Sequence, residues 1–310
     1  MGIFGRLQVP PHDLTGKIVI VTGANVGIGL ETARYFAANH AQVVIACRNP
    51  SKAKVALEDL RATTGSDKIE SWELDLSSFA SVRAFSDRFL QNCWPLDILV
   101  NNAGLAGSAQ LKRTPDGFEE LYQVNHLSHF LLTNLLLPAL KRSSAARVIN
   151  VSSVAHKSAT LDFDNLNGEK FASSHFVLYN NSKLCNVLFT KELARRVKED
   201  GIVVHAVHPG SHDFAKPSYS EYVIFSFVAS EFGKDLGPML RMFSQVVAFI
   251  FARDPVEGAQ TTIHAAISKE AGESTGDYWD SCRVDTVAKV ALDEDMQRRL
   301  WEVSVKAVGL

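Results

Sequence analysis

The sequence predicts an α/β fold: a doubly wound parallel sheet with helices on both faces and an inserted helical lid. Three observations lead there. From Lys17 onward, short β-branched runs alternate with longer amphipathic segments; the runs are apolar throughout; and a glycine-rich turn joins the first run to the first helix. Strands covered by helices on both faces lose the period-two alternation of a half-solvated sheet.

In chain order, KIVIVTG forms the first strand and a helix follows near Ile28 to Ala38. QVVIAC, a helix through Arg61 and IESWELD complete a βαβαβ unit. Next come a helix around Ser78 to Leu90, a strand in LDILVNNAG and a long helix from about Thr114 to Leu140. ARVINVSS, a helix from about Val177 to Lys198 and IVVHAVHPG carry the pattern to Gly210. No Pro, Gly or Ser-rich linker and no repeat interrupts it, so residues 1–310 read as one domain. Residues 211–254 depart from the pattern: YVIFSFVA and MFSQVVAFIF are separated by polar residues, Gly233, Gly237 and Pro238, as expected of a helical lid insertion. A helix near Pro255 to Ile267, a short strand at Gly276 to Trp279 and a last helix near Asp293 to Val308 close the fold.

A chain of 310 residues, 46% hydrophobic and 21% charged, can bury a large core. The net charge of -2 and pI near 6.6 give no electrostatic reason to expect nucleic acid or an anionic membrane as partner. Cys47, Cys93, Cys185 and Cys282 are scattered without the spacing of a zinc site or disulfide framework, which fits a reducing compartment and a cytoplasmic location. The first residues contain no apolar run long enough for a signal peptide or membrane span, and 1–13 read as a flexible leader. Gly2 stands where a myristoylated glycine would, but Arg6 occupies the position that needs Ser or Thr.

Thr22-Gly23-Ala24-Asn25-Val26-Gly27-Ile28-Gly29 leads from the first strand straight into a helix. Its glycines allow close backbone approach, and the free amides and dipole of the helix terminus suit a pyrophosphate without any basic side chain. The spacing is GxxxGxG, and its place between first strand and first helix makes it a dinucleotide site of the Rossmann type. At the end of the second strand, Ala46-Cys47-Arg48-Asn49 has no carboxylate to bind a ribose 2′-hydroxyl, whereas Arg48 can pair with a 2′-phosphate. NADP(H) is therefore expected, with NAD(H) as the alternative.

Tyr179 and Lys183 lie four apart on an expected helix and share one face. An ammonium beside a tyrosine, with the positive charge of an oxidised nicotinamide nearby, favours its phenolate; lowering the tyrosine by about three units corresponds to roughly 4 kcal/mol. Such a group takes a proton during alcohol oxidation and returns it during carbonyl reduction. Ser153, at the carboxyl end of its strand, is placed to hold a substrate oxygen, and Ser152 is its neighbour and competitor.

Together these residues resemble the short-chain dehydrogenase/reductase family over roughly residues 14–285. TGANVGIG resembles the family's cofactor loop and NNAG, residues 101–104, its fourth-strand motif. Tyr179 with Lys183 matches its YxxxK pair and Ser153 its substrate-orienting serine. The resemblance implies that Asp75, with Leu76 beside it, meets the adenine; that Asn102, Ala103, Gly104, Pro209 and Gly210 border the cofactor; that Lys183 also binds the nicotinamide ribose; and that Asn125 holds a water linking Lys183 to solvent. VNHLSHFLLT, NVSSVAH, YNNSKLCNVLFTKEL and AVHPG are similar to the retinol dehydrogenase branch, and most similar to the catalytic domains of WW domain-containing oxidoreductases. That implies a small lipophilic substrate: a retinoid, steroid or other carbonyl compound.

The chain departs from this pattern in two respects. It shows neither paired-tryptophan WW modules nor the amino-terminal anchor of many retinol dehydrogenases. Phe214 stands where many relatives place a threonine for the nicotinamide carboxamide, so either a nearby hydroxyl such as Ser211 substitutes or cofactor binding is weakened. His208 and His212 flank this loop without a carboxylate or cysteine at metal-site spacing, and no metal is expected. The apolar 211–254 segment is read as a substrate lid; peripheral contact with intracellular membranes and a homodimer contact are its other readings. A cofactor-binding regulatory protein with little turnover is the competing function.

Overall fold

The computed structural model describes residues 7–106, 111–171, 175–210 and 254–310. Eight strands form one sheet: β1 (Ile18–Thr22), β2 (Gln42–Cys47), β3 (Ile69–Glu73), β4 (Ile98–Asn101), β5 (Arg147–Val151), β6 (Val203–His208), β7 (Tyr278–Asp280) and β8 (Arg283–Val284). Their spatial order is β3-β2-β1-β4-β5-β6-β7-β8, parallel through β7, with β8 antiparallel at the edge. β1 is buried along its whole length, and its side chains divide between two cores. Ile18 and Ile20 face one side with Phe130, Leu184 and Leu188; Val19 and Val21 face the other with Phe36, Leu60 and Trp279. Burial on both faces is the physical reason for the unbroken apolar runs.

Helices α1 (Gly27–Ala38) and α2 (Pro50–Thr64) cover one face, and α3 (Phe79–Gln91) lies on the other. The long helix expected from Thr114 begins later. Thr114-Pro115-Asp116-Gly117 makes a turn with Gly117 at φ 88°, and Glu119 then caps the next segment through bonds from the Leu121 and Tyr122 amides. There α4 (Glu120–Tyr122), a π-helical turn at Gln123–Leu127 and α5 (Ser128–Leu140) run on continuously. The helix of the YxxxK pair, α6 (His175–Arg196), packs beside α5. After the undescribed residues come α7 (Pro255–Ile267), α8 (Lys269–Gly272) and α9 (Glu294–Val308). α9 backs α5 and α6: Trp301 meets Phe130 at 4.8 Å and Phe189 at 6.0 Å between ring centroids, and Ser304 pairs with His126 at 2.9 Å.

Of the expected lid, Asp254 alone is described, as the cap of α7 through the Glu257 amide. Ser211, His212 and Phe214 lie outside the described residues. Within the expected leader, residues 7–13 are tied to the body: Val9 is buried with its amide on Gln260 Oε1 at 2.7 Å, and the His12 amide donates to Asn39. No helix among the described residues is long and apolar enough to cross a membrane.

Candidate active site

β1 has β2 on one flank and β4 on the other, so successive connections leave in opposite directions and open a crevice at the carboxyl ends of the strands. A cavity of about 790 Å³ lies there, of a size that takes small-molecule ligands. Gly23, Asn25, Val26, Gly27, Ile28 and Gly29 line it from the β1–α1 turn, Arg48 from the end of β2, and Asp75 and Leu76 from beyond β3. Asn102, Ala103 and Gly104 line it from β4, and Tyr179 from α6. Pro209 and Gly210 follow β6 and are not among its lining residues; Pro209 sits against the backbone of α7 at Gly258.

The glycines leave room that no side chain could share. Gly23 has φ +66°, and a Cβ there would come within 2.9 Å of Ala103; a Cβ on Gly29 would lie 2.7 Å from the Gly23 carbonyl and 2.4 Å from Asn102 Nδ2. Val26, the N-cap of α1, offers no side-chain acceptor, and the first turn carries no acidic residue. The leading amides of α1 have no intrahelical partner, and the positive end of its dipole lies at this wall. These residues fit a dinucleotide pyrophosphate. Arg48 and Lys52 are exposed on the rim, and Asp75 is oriented by the Ser77 amide at 2.9 Å and hydroxyl at 2.7 Å.

On α6, Lys183 Nζ lies 5.7 Å from the Tyr179 ring centroid and donates to the Val151 carbonyl at 3.2 Å. The Ser153 hydroxyl accepts the Ala155 amide at 3.2 Å and is hydrogen-bonded with Tyr179. Ser152 instead donates its hydroxyl to the Lys183 carbonyl at 2.8 Å, which commits it to holding α6 against β5. Asn125, in the π-helical turn, bonds the Leu105 backbone through both amide ends and donates to Ser182 Oγ at 2.9 Å. Lys183 Nζ and Asn125 Oδ1 each lie 3.3 Å from where a Gly104 Cβ would stand, so Gly104, Asn125 and Lys183 converge.

Burial raises Tyr179, with the Ser153 hydrogen bond opposing it; the lowered tyrosine expected from the sequence calls for the charge of an oxidised nicotinamide as well as Lys183. Burial also pulls Lys183 down to about 8, so it still carries its proton at neutral pH. Desolvation disfavours the charged form of both groups.

The sequence reading missed two connecting residues. Thr22 Oγ1 accepts the amides of Asn102 and Ala103, each at 2.9 Å, and so sutures the β1 turn to the β4 turn. His129 stands between Thr22 and the Asn125 carbonyl. Thr22 belongs to the TGANVGIG loop and His129 to VNHLSHFLLT, but neither motif announces the contact.

The profile of the short chain dehydrogenase family matches residues 17–216. Human retinol dehydrogenase 11 is 40% identical over 298 residues, covering 96% of this chain and 87% of the relative. Human retinol dehydrogenase 12 is 42% identical over 298 residues, with 96% and 88% covered. A solved structure of an uncharacterized protein from Mycobacterium Paratuberculosis superposes with TM-score 0.72 at 30% identity, over 96% of this chain and 95% of that one. RhlG of Pseudomonas aeruginosa, solved with NADP, gives 0.63 at 28% identity over 86% and 95%. With this sheet order and these relatives along nearly its whole length, the chain belongs to the short-chain dehydrogenase/reductase family, in its retinol dehydrogenase-like part, and is an oxidoreductase acting on CH–OH or C=O groups.

Proposed function

We propose that the chain is an NADP(H)-dependent oxidoreductase of lipophilic alcohols or carbonyls, of retinoid, steroid or aldehyde type, with Tyr179 as its acid–base group. The observation that carries this reading is the meeting of Tyr179, Ser153 and Lys183 beside a glycine-lined cavity that fits a dinucleotide. A bound nicotinamide supplies or accepts the hydride and, when oxidised, adds a positive charge.

Tyr179 gives its hydroxyl proton to the substrate oxygen during reduction and withdraws one during oxidation. Ser153, already bonded to Tyr179, orients that oxygen. Lys183, charged at neutral pH, favours the phenolate, and Asn125 belongs to the route that restores its proton. Arg48 and Lys52 on the rim support a 2′-phosphate, since a second dianion there meets two cations and no carboxylate from the end of β2. The apolar content of residues 211–254 supports a lid over a greasy substrate.

NADPH and NADH oxidation by wild type and Tyr179→Phe protein, across retinal, steroid ketones and medium-chain aldehydes, tests the reading. Turnover with NADPH that falls at least ~1000-fold in the variant is expected from loss of the proton donor. Cofactor binding without turnover on any member of the panel would favour the regulatory alternative.

A further inference from the structure

Four histidines among the described residues, His126, His129, His156 and His205, are buried and have no part in the chemistry above. His129 is the one that touches both halves of the site. Its Nε2 lies 3.0 Å from Thr22 Oγ1, and its Nδ1 lies 3.2 Å from the Asn125 carbonyl.

Thr22 determines which nitrogen carries the proton. Its oxygen accepts the amides of Asn102 and Ala103, which occupies both lone pairs. The hydroxyl proton must then be donated, and His129 Nε2 at 3.0 Å is a better acceptor than the Val100 carbonyl at 3.4 Å. Nε2 is therefore bare, and Nδ1 bears the hydrogen and donates to Asn125. A second proton is resisted: burial holds the ring down to about 4, and nearby Lys183 acts in the same direction. The charged or titratable neighbours are Lys183 on α6 and His126 one turn earlier, itself held neutral by burial.

We infer that His129 is a positioning residue: as the neutral Nδ1–H tautomer it fixes the backbone carbonyl of Asn125 and ties it, through Thr22, to the turn that borders the cofactor cavity. This rests on the reading of Asn125 as part of the proton route. In a π-helical turn the regular bonding of an α-helix is displaced, and a side chain that grips a carbonyl there decides where it points. The imidazole touches the cofactor wall through Thr22, and its bond to the Asn125 carbonyl is the one that sets the proton route.

Two substitutions separate the bonds. Asn39, Asn92 and Asn134 each donate Nδ2 to the carbonyl four residues earlier at 2.8 Å, so His129→Asn keeps the grip on Asn125 and loses Thr22. His129→Leu loses both. The expected result is a kcat about tenfold lower in His129→Leu, with a larger solvent deuterium isotope effect, and a kcat within about threefold of wild type in His129→Asn. NADPH Kd should change less than about twofold in both.

Ring nitrogen-15 shifts of His129 in wild type should show protonated Nδ1 and bare Nε2 from about pH 8 to pH 5. The opposite tautomer, an unaltered kcat in His129→Leu, or kcat and Kd failing together in both variants would overturn the inference. Should His129→Leu not fold, His129→Asn and the ring shifts decide alone. Tyr179→Phe measured alongside distinguishes the failures: full turnover in that variant removes the site reading itself, whereas its loss leaves the His129 outcomes to judge His129.

Discussion

α1 and α2 follow consecutive strands of one sheet, yet they begin in opposite ways. α2 satisfies itself: Asn49 accepts the Lys52 amide at 2.9 Å, Pro50 occupies the first turn, and Gly65 ends the helix in the left-handed region at φ 68°. α1 starts from glycines, with exposed Val26 as a cap whose side chain accepts nothing. The first arrangement stabilises the helix from within. The second leaves amide donors at the cavity wall, where a dinucleotide would meet them, whereas the start of α2 is capped although it borders the same cavity.

The largest expected effect is one that neither helix start should feel. Burial holds His126 down to about 3, and His129 and His156 to about 4, against an unfolded value of 6.5. The unfolded chain binds protons that the folded protein refuses, so this contribution is fully present above pH 6.5. It is lost as pH falls toward about 4, at up to ~1.4 kcal/mol per pH unit for each ring. Urea unfolding between pH 7 and pH 5 should show that fall; a flat profile would mean the rings are not held neutral.

Gly29→Ala comes next. The new methyl would meet the Gly23 carbonyl, and dinucleotide affinity should drop by roughly 10- to 100-fold, read by fluorescence titration. Wild-type affinity in that variant would break the contrast from the α1 side. Asn49→Ala is the smallest: about 1 kcal/mol of stability lost in urea unfolding, equally at pH 7 and pH 5. Unchanged stability would show that the Asn49 cap does not hold α2.

Much of this frame could be read before any coordinates, because burial of both sheet faces leaves an apolar run for each major strand and a turn signal after it. Where the reading slipped, a local signal was overridden or too short. The apolar run before Leu140 hid Pro115, Asp116 and Gly117, whose turn delays the helix to Glu120. β8, two residues long, has no periodicity to detect. Periodicity also cannot reveal a π-helical turn, since the residues that form it look like any other helix.

At the site, the glycine loop and the Tyr179–Lys183 spacing were legible because both are local in sequence. The resemblance favoured Ser153 over Ser152, and the Ser152 hydroxyl is committed to the Lys183 carbonyl. Thr22 and His129 escaped notice because their contact spans 107 residues of chain.

The docking of α9 has a kinetic consequence. His126, next to Asn125 in the π-helical turn, meets Ser304 across 178 residues, and Phe130 meets Trp301. A nascent chain that has already emerged past β5 still lacks the wall behind that turn. Contacts so distant in sequence close late, because the intervening loop must first lose its entropy. In chain order α9 follows every strand of the sheet, so the brace behind this turn closes after the strands that border the crevice.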